Sequence, residues 1–210
     1  MNEVWTNIYA SKGPQERSWT QQFPEESLRL TAAHGSGPEH AVIDVGGGAS
    51  ALALALLDRG YHDVTVVDIA APALDELRAR ATDHGHKPES LSTVVCDVLD
   101  FDPPKRFATW HDRAVFHFLV ESSQQVRYRE LLNQLLQPEG LAIVATFSPD
   151  GPAMCSGLPV KQWSTDSLAA FFEPEFVVIE SFVSEHVTPN GAVQSFSWVA
   201  LRRVSPPLTR

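Results

Sequence analysis

Hydrophobic and polar positions along the chain change period several times. From Ala41 a short apolar run, Ala41-Val42-Ile43, leads into Gly46-Gly47-Gly48, and the stretch Ala51 to Arg59 then reads as a helix stopped by Gly60. A second unit repeats the scheme, with Val64 to Val67 predicted as a strand, a turn at Asp68, and a helix over Ala73 to Ala81 with Pro72 near its first turn. Ser92 to Val95 and Phe107 to Trp110 give a third and a fourth strand. Leu131, Leu132, Leu135 and Leu136 form a stripe at helical spacing, ended by Pro138 and Gly140, and the β-branched run Leu141 to Phe147 follows. Alternating strands and helices predict an α/β fold with a doubly wound, Rossmann-like sheet, whose ligand crevice opens at the carboxyl ends of the strands.

The two ends of the chain read differently. Residues 1–37 mix aromatic and charged side chains and hold one helical pattern, Glu25 to Ala33, which predicts an N-terminal helical cap on a core spanning 38–204. After a short helix capped by Ser164, the patterns Phe176 to Val183 and Val193 to Arg203 flank Pro189-Asn190-Gly191 and predict a terminal antiparallel hairpin. Residues 205–210, with two prolines, read as a loose tail.

Composition narrows the partners. With 43% apolar residues in 210, the chain can bury a sizeable core. Sixteen basic against 26 acidic side chains give a formal charge of −10, so nucleic acid is not an expected partner. No apolar stretch approaches the roughly 20 residues that a membrane-spanning helix needs, and the first residues lack a secretion signal, so the expectation is a cytoplasmic chain with no membrane partner. Cys96 and Cys155 are expected as free thiols, and neither the cysteines nor the histidines show a metal-ligand spacing. Nothing in the sequence sets the oligomeric state.

Candidate chemistry centres on Asp44-Val45-Gly46-Gly47-Gly48-Ala49-Ser50, a glycine turn between strand and helix where backbone can approach a ligand closely. Asp68 follows Gly48 by 20 residues, at a strand end where a carboxylate can accept from both ribose hydroxyls. Gly46-x-Gly48-x-x-Ala51 also satisfies a dinucleotide fingerprint, which keeps a nicotinamide or flavin enzyme open. Asp44 opposes that reading. A carboxylate two residues before the first glycine suits an ammonium or sulfonium group better than a pyrophosphate.

Together with Cys96-Asp97-Val98 after the third strand, Pro138-Glu139-Gly140 before the fifth, and the terminal hairpin, these features resemble a class I S-adenosylmethionine-dependent methyltransferase over residues 41–203. The cap aromatics and the loop after the fifth strand are loosely similar to the thiopurine and tellurite-resistance types, which act on small acceptors. The resemblance implies a seven-stranded sheet of order 3-2-1-4-5-7-6 with the last strand antiparallel, and S-adenosylmethionine as cofactor. It implies that Gly46, Gly47 and Gly48 line the methionine part, with Asp44 serving the ammonium directly or through water. Asp68 would hold the ribose, Asp97 and the Val98 backbone the adenine, and Ile69 is a further cofactor-binding candidate. Ser50 stands where the usual motif has its third glycine. Trp19, with Trp5 and Tyr9, is a candidate to close over a sulfonium or form a hydrophobic mouth, the alternative being simple packing of the cap on the core.

For the acceptor side, Trp110-His111-Asp112-Arg113 is read as a loop following the fourth strand, with His111 a candidate base and Asp112 or Arg113 positioning acceptor or cofactor. His117 reads as a core histidine and His186 as a surface one. Residues 147–159, rich in proline and glycine, read as a lid or substrate wall. The expected activity is methyl transfer to a small-molecule thiol, chalcogenide or phenol by in-line displacement. Protein lysine methylation and cofactor binding without turnover are the alternatives.

Overall fold

A computed structural model describes residues 2–204; the tail expected over 205–210 lies outside them. Seven strands form one sheet, labelled here in chain order: β1 Val42–Val45, β2 Val64–Asp68, β3 Leu91–Val95, β4 Phe107–Arg113, β5 Leu136–Phe147, β6 Phe176–Val187 and β7 Val193–Arg203. Their order across the sheet is β3-β2-β1-β4-β5-β7-β6. β7 runs antiparallel to both β5 and β6, and the other neighbours are parallel. This is the Rossmann-like topology expected from the sequence.

Helices cover both faces. On one face α5 (Ser122–Leu135) and α6 (Thr165–Phe172) bury Ile43, Val45, Trp110, Val144 and Leu201 among Tyr128, Leu132 and Phe172. On the other, α3 (Ala51–Leu57) and α4 (Ala71–Asp83) cover Val42, Val64 and Val66 with Leu52, Leu56, Leu74 and Leu77. β1 is buried at all four positions because both faces are covered, which explains its unbroken apolar run apart from Asp44.

The segment expected as a cap has two parts. α1 (Asn2–Ser11) lies over the carboxyl end of the sheet against α4. α2 (Glu25–His34) is a sheet-covering helix: Leu30 is fully buried with Leu141, Ile143 and Trp198 of β5 and β7, and Leu28 joins the α3 side. The fourth strand also runs three residues further than expected, to Arg113, so Trp110-His111-Asp112-Arg113 is strand and not loop. The long segment after β5 folds back on itself, with Met154–Cys155 paired to Leu158–Pro159 through a turn at Ser156 and Gly157.

Candidate functional site

The carboxyl ends of β1, β2 and β4 form the floor of a crevice, and the glycine loop between β1 and α3 forms its lip. Gly46 has φ +62° and Gly48 φ +53°, left-handed backbone that favours glycine. The reason for glycine here lies partly within the protein. A Cβ on Gly46 would stand 1.9 Å from Val115 Cγ2, and one on Gly48 would stand 2.2 Å from the Tyr9 hydroxyl. Gly47 is pressed against Asp44 and Val66 in the same way.

Beneath the loop runs a chain of side-chain hydrogen bonds. Asp44 of β1 is the direct register partner of His111 on β4, so their side chains stand together on one face. His111 Nδ1 donates to Asp44 Oδ1 at 2.7 Å, and its Nε2 meets the Ser27 hydroxyl of α2 at 2.8 Å. The other Asp44 oxygen accepts from the Ser50 hydroxyl, and Ser50 Oγ accepts from the Ala53 amide at 2.9 Å, capping α3. Ser50, the departure from the glycine motif, therefore locks the loop to the helix it precedes. All four side chains are buried.

This arrangement gives the expected residues of β4 different surroundings. Both ring nitrogens of His111 are engaged, by Asp44 and Ser27, so the side chain ties loop, sheet and α2 together. Asp112 points to the opposite face, as the two-residue period of a strand requires. It is fully buried, accepts from Tyr128 Oη at 2.6 Å, Val115 N at 2.8 Å and Phe116 N at 3.1 Å, and holds the turn in which Ala114 has φ +74°. Burial pushes its carboxyl up to about 6 despite those donors. The structure does not bring Asp112 to the crevice.

Most of the remaining expected residues converge, whereas Gly48 sits against the Tyr9 hydroxyl. One cavity is lined by Gly46, Asp68, Ile69, Asp97 and Val98 together with Trp5, Tyr9, Trp19, Arg113, Phe118 and Cys155. Asp68 Oδ1 accepts from Ala70 N at 2.7 Å, and Asp97 Oδ1 accepts from Leu99 N at 3.0 Å, so each carboxylate is fixed by its own turn. Burial raises the Asp68 carboxyl to about 6, countered by backbone donors and raised further by Asp44. Asp44, Gly47, Ser27 and His111 line a second cavity beside the first, and Tyr9, Trp19 and Arg113 border both.

Tyr9, Trp5 and Trp19 form an aromatic lid. Trp5 packs edge-on against Trp19 at 5.3 Å and Phe118 at 5.4 Å, and Trp19 Nε1 donates to Tyr9 Oη at 3.3 Å. Burial, with Asp68 nearby, pushes the Tyr9 phenol up to about 12, so it stays neutral. Arg17 pins the lid: it stacks over Tyr9 at 4.3 Å and pairs with Glu76 of α4 at 2.8 Å. Arg17 and Ser27 carry no local sequence signal for these roles, because their partners lie 59 and 84 residues away.

His117 is a core histidine as expected: it is fully buried, accepts from Phe147 N at 3.3 Å, and burial drives it down to about 3, hence neutral. His186 departs from the expected surface role. It is 8% exposed, and its Nε2 donates to Ser18 O at 2.7 Å, tying the hairpin to the lid. Of the loop after β5, Cys155 reaches the cavity while Met154 is exposed; burial pushes the Cys155 thiol up, so it is a neutral wall. Asp58, His84 and His86 form the one cluster of potential metal ligands among the described residues, at the far ends of α3 and α4, away from the crevice.

Residues 42–140 match a family model described as a methyltransferase domain. Over 91 residues, 41% of the chain, there is 35% identity to ribosomal RNA small subunit methyltransferase A of Mycobacterium sp. strain KMS; the match spans 31% of that relative, so the chain corresponds to about a third of its length. Among solved structures, one determined in work on the conversion of a disulfide bond into a thioacetal group during echinomycin biosynthesis superposes with TM-score 0.78 at 23% identity, covering 97% of this chain and 92% of that one. The 1,6-didemethyltoxoflavin-N1-methyltransferase of Burkholderia thailandensis, solved with 1,6-didemethyltoxoflavin and S-adenosylhomocysteine, superposes with TM-score 0.71 at 21% identity, covering 95% and 82%.

Proposed function

We propose that residues 42–140, which match a methyltransferase domain model, form a class I S-adenosylmethionine-dependent methyltransferase domain and that the chain uses it to methylate a small-molecule acceptor. The observation that carries this reading is the single cavity in which Gly46, Asp68, Ile69, Asp97 and Val98 meet the aromatic lid and Cys155. The first group fits the cofactor: fixed carboxylates at the ends of β2 and β3 for ribose hydroxyls and adenine amino group, and a tight left-handed loop for the methionine part. Asp44 supports that loop from below through Ser50 and His111 and lines the neighbouring cavity. The second group fits an apolar or soft acceptor of limited size.

When bound, S-adenosylmethionine supplies a methyl carbon activated by the adjoining sulfonium. The protein's own residues then have to align, desolvate and shield. Trp5, Trp19 and Phe118 exclude water, and the faces of the indoles tolerate positive charge. His117 is held neutral by burial, and both ring nitrogens of His111 are hydrogen-bonded, to Asp44 and to Ser27. A thiol or chalcogenide acceptor, whose ordinary pKa of about 8.5 or lower leaves an anionic fraction at neutral pH, needs least help from such a site. A phenol is the next candidate.

The test is incubation with methyl-labelled S-adenosylmethionine and a cell lysate, followed by separation of products by size and volatility. Label in low-mass or volatile products is the expected result. Label on protein would replace this reading with macromolecular methylation, and bound label without transfer would replace it with a binding protein.

A further inference from the structure

Arg113 stands at the junction of three cavities and is incompletely used. Besides the two described, it lines a third that runs outward between α2 and the β6–β7 hairpin. Its Nη1 donates to Trp19 O at 3.1 Å, but Nε and Nη2 are buried with no hydrogen-bond partner. It enters none of the ion pairs found among the described residues. A guanidinium whose Nε and Nη2 are buried, with no carboxylate in contact and Asp44 acting on it only through space, calls for an explanation.

The two free donors are specific. Nε–H and the adjacent Nη2–H lie parallel along one edge of the guanidinium fork, the spacing that matches the two oxygens of a carboxylate. The group also sits on the acceptor side of the crevice: it packs over Phe196 of β7 at 4.8 Å and shares the first cavity with Cys155. The ribose-side Asp68 is at the end of β2, two strands away across β1, hence about 10 Å distant. We propose that Arg113 is a carboxylate clamp for the methyl acceptor, so that the substrates of this protein are small molecules bearing a carboxylate beside an apolar or aromatic body. The proposal rests on the small-molecule reading above and narrows it.

Binding of benzoate and of benzyl alcohol to protein saturated with S-adenosylhomocysteine, read by tryptophan fluorescence, tests the clamp directly. Benzoate is expected to bind at least about tenfold tighter, Arg113→Gln to abolish that preference, and Arg113→Lys, which keeps the charge and loses the fork, to fall between them. Equal binding of the two probes, or a preference that survives in Arg113→Gln, would overturn it. The competing source of a carboxylate is the cofactor's own methionine half. Affinities for S-adenosylhomocysteine and for 5′-methylthioadenosine, which lacks that half, are therefore compared in the same variants: parallel changes are expected, whereas a loss confined to S-adenosylhomocysteine assigns Arg113 to the cofactor and overturns the proposal. Labelled methyl transfer to thiosalicylate against thiophenol separates the two levels. Transfer to neither, with benzoate still held through Arg113, sinks the methyl-transfer reading and leaves the clamp standing.

Discussion

At the scale of single residues, the crevice depends on side chains whose freedom has been removed by neighbours. Asp68 is the plainest case, because its turn fixes one oxygen on Ala70 N and burial raises its carboxyl to about 6. In the proposed cofactor site the ionised form is the acceptor for the two ribose hydroxyls, so cofactor affinity should be full above pH 6 and fall as the pH drops below it, by up to about tenfold per unit. Titration of S-adenosylhomocysteine between pH 5 and 8 reads this directly. Asp68→Asn should bind about ten- to a hundredfold more weakly at pH 8, the loss of a charged acceptor being worth about 1.5–3 kcal/mol, and should be flat through the acid window. A wild-type profile as flat as the variant's would remove Asp68 from the ribose. Gly46 makes a different demand. Alanine there costs about 1–2 kcal/mol for its left-handed backbone alone, before the collision with Val115. Gly46→Ala should lower both the melting temperature and cofactor affinity, and Val115→Ala added to it should restore part of each; strictly additive losses would mean that the two positions do not touch.

At the scale of elements, β4 decides what each of its residues can do. Trp110 and Asp112 face α5, where the Tyr128 hydroxyl accepts from Trp110 Nε1 at 2.9 Å and donates to Asp112 Oδ2. His111 and Arg113 face α2 and the lid. Tyr128→Phe should therefore cost about 1–3 kcal/mol in denaturant unfolding and leave cofactor affinity near wild type, and Asp112→Ala, which strips the Val115 and Phe116 amides as well, should cost more. Cofactor affinity that fell with unfolding stability unchanged in Tyr128→Phe would contradict a purely structural corner. The same strand shows where sequence reading stopped. The alternation of apolar runs, the Ser164 cap and the Pro189-Asn190-Gly191 turn are local signals, and they placed the sheet and its hairpin. Trp110-His111-Asp112-Arg113 looked like a loop because polar side chains in a central strand are rare. They are tolerated here because Asp112 finds Tyr128 on α5 and His111 finds Ser27 on α2, partners 16 and 84 residues away that no local pattern announces. Asp68, Asp97 and the glycine loop were legible for the opposite reason: each is fixed by the turn that carries it.

At the scale of the whole molecule, the part that matches the methyltransferase domain model and the part proposed to receive the acceptor are largely different stretches of the chain. The methyltransferase domain match ends at residue 140, whereas the lid, the folded segment that presents Cys155, and the hairpin against which Arg113 packs lie outside 42–140. Similarity to a ribosomal RNA methyltransferase over 41% of the chain therefore bears on the shared domain and says little about what is methylated. Charge speaks to the acceptor. At −10 the molecule opposes a polyphosphate backbone, and its crevice carries Asp68 and Asp97 beside aromatic side chains in place of a lysine and arginine track. A protein that grips RNA loses affinity steeply with salt, with a slope close to the number of phosphates it neutralises. Filter binding of ribosomal RNA at about 50 mM and 200 mM salt should thus show no salt-sensitive retention. Retention that collapsed between the two would reveal a local basic surface outweighing the net charge. The acceptor would then have to be sought on the RNA, and the carboxylate edge of Arg113 would have to be reconsidered as a phosphate contact.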